Sequence, residues 1–179
     1  MLLVLASNAR LPAGHSLLRF DMPAGGLRTI AIAVLILLAA GGLYGGLIYT
    51  FDRWALEHDM ATFAELMKSR NWWLLVLVAA VGAPVAEECL FRGLLYGTLR
   101  QSPLGAIGAA VVTAFMWAML HTSYSIYGIL AIMLIGLYLA YVRERTGSLL
   151  TPMICHGAYN SAIALSLAFL PDGIFSLPG

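Results

Sequence analysis

Five long apolar stretches, separated by short polar or Gly- and Pro-containing intervals, dominate the chain. A helix needs about 20 residues to cross a hydrocarbon core, and suitable runs fall near 28–51, 72–98, 104–121, 126–142 and 149–170. The pattern predicts an all-α, polytopic transmembrane helix bundle of about five spanning helices. The interval from Asp52 to Arg70 is different, because charged residues there are interleaved with Phe63, Leu66 and Met67 at helical spacing. It predicts a short interfacial helix, with Thr62-x-x-Glu65 as a capping box. Residues 28–170 therefore form the membrane-embedded domain. Residues 1–27, containing Pro12, Gly14, Pro23, Gly25 and Gly26, read as a tail or surface segment, and 171–179 as a C-terminal tail. The apolar run from Leu2 to Ala6 is short and follows no basic residue, so no secretory signal is expected.

Composition supports the membrane reading, since 61% of residues are hydrophobic and 11% charged, against about a quarter charged in soluble domains. Ten basic residues against nine acidic ones give no footprint for nucleic acid. The expected partners are the membrane and molecules embedded in it or delivered by it. Cytoplasmic loops collect Lys and Arg. With the N-terminus inside, Arg10, Arg19, Arg28, Arg100, Arg143 and Arg145 are all cytoplasmic, while Arg53, Lys68 and Arg70 lie outside beside Asp52, Glu57, Asp59 and Glu65. This predicts a multi-pass cell-membrane protein with its N-terminus cytoplasmic and its C-terminus outside. Trp54, Trp72 and Trp73 then fall at the outer interface, where aromatic belts are expected.

Small residues add two expectations. Gly41, Gly42, Gly45 and Gly46 form two overlapping G-x-x-x-G pairs in the first span, a spacing that lets helix backbones approach closely. They serve either packing within the bundle or a homodimer. Cys89 and Cys155 lie in apolar segments without C-x-x-C spacing and are read as small buried hydrophobes.

Chemistry concentrates where polar side chains interrupt the apolar runs. Ionisable groups are costly in hydrocarbon and usually mark function. In the second span, Glu88 and Arg92 stand at i and i+4 and share a helix face, whereas Glu87 points elsewhere and lacks a local counter-charge. Glu87 is thus the candidate general base, and the Glu88/Arg92 pair its scaffold. Pro84 removes a backbone donor three residues earlier and leaves the Ala80 carbonyl without its usual partner. His121 ends the third span, and His156 and Asn160 lie one turn apart in the fifth. Pro152 suits the first turn of that last helix, after Ser148 or Thr151 as N-cap. Ser123 and Ser125 have no catalytic context and read as loop or interhelical hydrogen-bonders. Helix rise alone puts His121 deepest, about 26 Å from the cytoplasmic end, and His156 shallowest, about 10 Å. Their meeting therefore depends on tilt and on the break at Pro84.

Taken in order, Glu87-Glu88-Cys89-Leu90-Phe91-Arg92, Trp117-Ala118-Met119-Leu120-His121 and His156-x-x-x-Asn160 resemble the E-E-x-x-x-R, F-x-x-x-H and H-x-x-x-N blocks of the CAAX-protease and bacteriocin-processing (CPBP, or ABI) intramembrane proteases. Arg145-Thr146-Gly147-Ser148 also looks like the family. Trp117 is a departure, an aromatic standing where the family usually has Phe. The resemblance implies an intramembrane endopeptidase acting on a membrane-associated peptide or protein substrate. Glu87 and His121 would activate water, while His156 and Asn160 would donate to the developing oxyanion. One divalent metal such as zinc is compatible, with Glu87, His121 and His156 as ligands and water in the fourth position. A metal-free glutamate mechanism would use the same residues, and the H-E-x-x-H signature is absent. The alternatives are a non-proteolytic immunity or scaffold protein of the same fold and, without a recognisable internal repeat, a transporter.

Overall fold

The computed structural model describes residues 17–169, and all regular structure among them is helical. We number the helices α1 Gly26–Phe51, α2 Arg53–Met67, α3 Trp72–Leu99, α4 Gly105–His121, α5 Ile126–Thr146 and α6 Leu150–Phe169. By length and composition, α1, α3 and α5 are long and apolar enough to cross a membrane. Three of the five expected spans thus meet that criterion. Of the other two, α4 is a shorter apolar helix, and the 20 residues of α6 include Thr151, His156, Asn160 and Ser161, which lower its apolarity.

The bundle is built with its polar groups inside. Arg92, Glu88, Thr113 and Thr151 are fully buried, while Leu27, Leu43, Ile107 and Phe169 are among the most exposed side chains. That inversion suits a lipid surround, in which apolar side chains lose nothing by facing outward and polar ones seek partners within the bundle. One apolar cluster, formed by Ala33, Leu37, Phe91, Trp117, Leu139, Val142 and Cys155, joins α1, α3, α4, α5 and α6. Cys89 and Cys155 are both buried and free.

Local sequence explains the helix ends. Asp52 caps α2, its side chain accepting from Ala55 N at 3.1 Å. Thr62 therefore lies inside α2, and the expected capping box does not form; the stronger N-cap stands ten residues upstream, where the chain leaves α1. Ser125 caps α5 by accepting from Gly128 N, and Gly147 ends α5 at φ 65, a conformation that favours glycine. Of the two expected caps for α6, Ser148 takes the role, its Oγ accepting from Leu150 N at 3.1 Å, while Thr151 lies within the helix.

The segment before α1 is anchored rather than loose over its described part. Leu18 is buried with Cys89, Leu149 and Met153, and Arg19 O accepts from Leu149 N at 2.6 Å. Residues 1–16 and 170–179, which hold the rest of both expected tails, lie outside the described residues.

The two glycine pairs of α1 separate by face. A Cβ on Gly41 would collide with the Tyr159 ring, and Gly41 and Gly45 line the central cavity. Gly42 and Gly46 are exposed and meet nothing. Half of the motif therefore serves packing and cavity shape within the chain, leaving Gly42 and Gly46 as the outward-facing pair.

Candidate active site

The long helix α3 is not a regular α-helix. It contains two π turns, Val78–Gly82 and Cys89–Leu95, which bracket the Pro84 to Glu88 segment. The first reflects Pro84. Ala83 N–H reaches back five residues to Val78 O, so the Ala79 carbonyl loses Ala83 as its α-helical donor. Pro84, next in line, has no N–H. The Asn160 side chain fills the gap, donating from Nδ2 to Ala79 O at 2.8 Å. The Ala80 carbonyl, which Pro84 also deprives, lies against Gly157, where any Cβ would overlap it. Proline, π turn, Gly157 and Asn160 together bring α3 and α6 into backbone contact. Such turns are frequent at functional sites.

The second π turn presents the charged group. Arg92 Nη1 donates to Glu88 Oε1 at 2.9 Å, with both side chains fully buried, as the i, i+4 spacing predicted. Arg92 Nη2 donates to Gly136 O on α5 at 3.1 Å. The approach is close because Gly136 lacks a side chain; a Cβ there would press on Ala114 and Trp117. Glu88 does more than pair with arginine, because its Oε1 also accepts from His156 Nδ1 at 3.0 Å. A carboxylate can only accept, so Nδ1 carries the hydrogen, and His156 presents Nε2 away from Glu88. Charged bonds of this kind orient an imidazole firmly.

Trp117 lies at the centre. Its indole Nε1 donates to Glu87 Oε2 at 2.5 Å, and the Arg92 guanidinium lies over its ring at 4.6 Å. His156 and His121 meet the ring edge-on, with centroids at 5.2 and 5.6 Å. His121 belongs to a 3₁₀ turn, Met119–His121, that ends α4. Its Nδ1 lies 3.0 Å from Trp117 O; a carbonyl cannot donate, so Nδ1 carries the hydrogen and Nε2 is the acceptor in the neutral ring.

Glu87, His121, His156 and Asn160 all line one cavity of about 310 Å³. His121, the deepest of them by helix rise, is among them. The outer wall comes from α2 through Leu56, Asp59, Met60 and Phe63. Asp59 fastens that helix to α5, accepting from Ser125 N at 2.5 Å and from Ser125 Oγ at 2.7 Å. Ser125 is thus an interhelical hydrogen-bonder. Glu88 and Arg92 do not line the cavity and stand behind it.

Among the described residues, no three His, Cys, Asp or Glu side chains are gathered so that they could hold a metal ion. Glu87, His121 and His156 border the same space, and the bonds to Glu88 and Trp117 engage only the histidine Nδ1 atoms and Glu87 Oε2, leaving the other donor atom of each side chain unengaged. It is their spacing, and not their hydrogen bonding, that does not fit a metal centre in this geometry.

Sequence reasoning located Glu87, Glu88, Arg92, His121, His156 and Asn160 and the Glu88/Arg92 pair but missed the bonds that join different helices. Trp117 was read only as an aromatic standing in for Phe, although an indole N–H in an apolar segment needs an acceptor, and that need was the available signal. The fold and site define an all-helical, membrane-spanning protein with a carboxylate and two histidines lining one cavity. Residues 69–162, more than half of the chain, match the family model described as Type II CAAX prenyl endopeptidase Rce1-like. The chain belongs to this family. An Escherichia coli protein described as an "Uncharacterized 24.3 kDa protein" is 29% identical over 85 residues, covering 46% of this chain and 39% of that relative's length. No solved structure matches the chain.

Proposed function

We propose that the protein is an intramembrane endopeptidase that hydrolyses a peptide bond of a membrane-associated substrate with water activated by Glu87. The observation that carries this reading is the convergence of Glu87, His121, His156 and Asn160, from three helices, on one cavity. Glu87 is the general base, and His121 accepts through Nε2 on the same water. His156, held by Glu88, donates through Nε2 in its protonated form to the oxygen that gains charge. Asn160 spends one N–H on Ala79 O and has a second for the same oxygen. No acyl-enzyme is required. No step is routed through a metal, because the described residues gather no group that could hold one.

The five-span topology with a cytoplasmic N-terminus belongs to the same proposal. It places the six arginines named above on one side, and the cavity then lies under α2 on the opposite side. A homodimer, if it uses the glycine motif, uses Gly42 and Gly46.

The test is cleavage of quenched peptides by the protein in liposomes, with wild type beside Glu87→Gln and with and without chelator. Glu87→Gln should abolish turnover. Equal cleavage by both proteins would sink the role of Glu87, and loss of cleavage on chelation would overturn the metal-free route.

A further inference from the structure

The Trp117 side chain has two separable parts, a ring that packs and an N–H that donates. Trp117 is 3% exposed and its ring sits in the main apolar cluster, a role any large aromatic could fill. The N–H is different. It makes a bond of 2.5 Å to Glu87 Oε2, and a phenylalanine, the residue more usual at this position in the family that the motifs resemble, would offer nothing there. Four charged or titratable groups of the site surround Trp117: Arg92 over the ring, His121 and His156 at its edges, and Glu87 on its nitrogen. Its backbone carbonyl also takes the His121 Nδ1 bond.

We propose that Trp117 is a positioning residue for Glu87, its indole N–H pinning Oε2 so that Oε1 is the oxygen that takes the proton from water. The inference rests on the proteolytic reading above and assigns Trp117 a task within it. A hydrogen bond to a charged acceptor is stronger and more directional than a neutral one. Glu87 otherwise has rotational freedom about its side-chain bonds, and on a helix between two π turns its direction is set by whatever it bonds. Trp117 supplies that bond from α4, across 30 residues of sequence. Because Arg92 packs on the same indole, the buried pair and the base share one rigid plate.

Two measurements test this. In the liposome assay, Trp117→Phe keeps the ring and removes the donor. The expected result is a fall in kcat of about tenfold to a hundredfold with KM within about twofold and an unchanged melting temperature. Wild-type kcat would overturn the proposal, as would a rise in KM alone. The second measurement needs no turnover. In the full chain with Trp54, Trp72 and Trp73 replaced by Phe, Trp117 is the one remaining indole. Its N–H hydrogen-bond marker band in ultraviolet resonance Raman should move to the unbonded position on Glu87→Ala. An identical band in the two proteins would overturn the proposal even if Trp117→Phe proved too unstable to assay. If the wild type cleaves nothing, the proteolytic reading falls, while the Raman band still decides whether the bond exists.

Discussion

Glu88 is the residue on which most of the buried polar chemistry depends, since Arg92 and His156 both bond its Oε1. Its link to Arg92 was legible from i, i+4 spacing, because neighbours on one helix are set by the helix itself. Its link to His156, 68 residues away, was not, because no local rule brings α3 to α6. Removing one member of a fully buried pair strands the other charge, so Arg92→Met should destabilise the protein by about 3–5 kcal/mol, read by denaturation in detergent. The double change Glu88→Leu with Arg92→Met should recover most of that stability, since a matched apolar pair is often neutral. It should not recover cleavage, because His156 loses its orienting partner. Recovery of both would show that Glu88 serves stability alone. Asn160→Ala should cost about 1–3 kcal/mol by leaving Ala79 O unsatisfied, with cleavage lost as well.

At the scale of elements, the informative feature is how α3 deals with Pro84. A proline in a helix interior was expected to free one carbonyl. The helix instead widens into a π turn, and the freed carbonyls at Ala79 and Ala80 are met by Asn160 and by the bare backbone of Gly157. The requirement for glycine at 157 follows from contact rather than backbone angle. Gly157→Ala should push α6 from α3, lowering both melting temperature and turnover. Gly147→Ala strains only the left-handed end of α5 and should cost about 1 kcal/mol of stability while leaving KM unchanged. If Gly157→Ala behaves like Gly147→Ala in the same assays, the close contact of α3 and α6 is not needed for the site.

For the whole molecule, the pattern of arginines carries a testable orientation. Ser69 is exposed between α2 and α3, and Gln101 is exposed between α3 and α4. Cys89 and Cys155 are buried and should give little background. An impermeant thiol reagent applied to intact cells should label Ser69→Cys and spare Gln101→Cys, with the reverse pattern in inverted vesicles. The opposite result would turn the topology over. Hydropathy was enough to read the helical class and the positions of the helices to within a few residues, because burial in lipid imposes one simple rule on every residue of a span. The sequence alone also selected Glu87, Glu88, Arg92, His121, His156 and Asn160, since polar groups in an apolar run stand out by their cost. Apart from the Glu88/Arg92 pair, what those groups bond to was decided only by the tertiary structure. Trp117 with Glu87, His156 with Glu88 and Asn160 with Ala79 O each join residues on different helices. Such pairings depend on the tilt, rotation and π turns of packed helices, quantities that arise from contacts along the whole bundle and have no local trace in the chain.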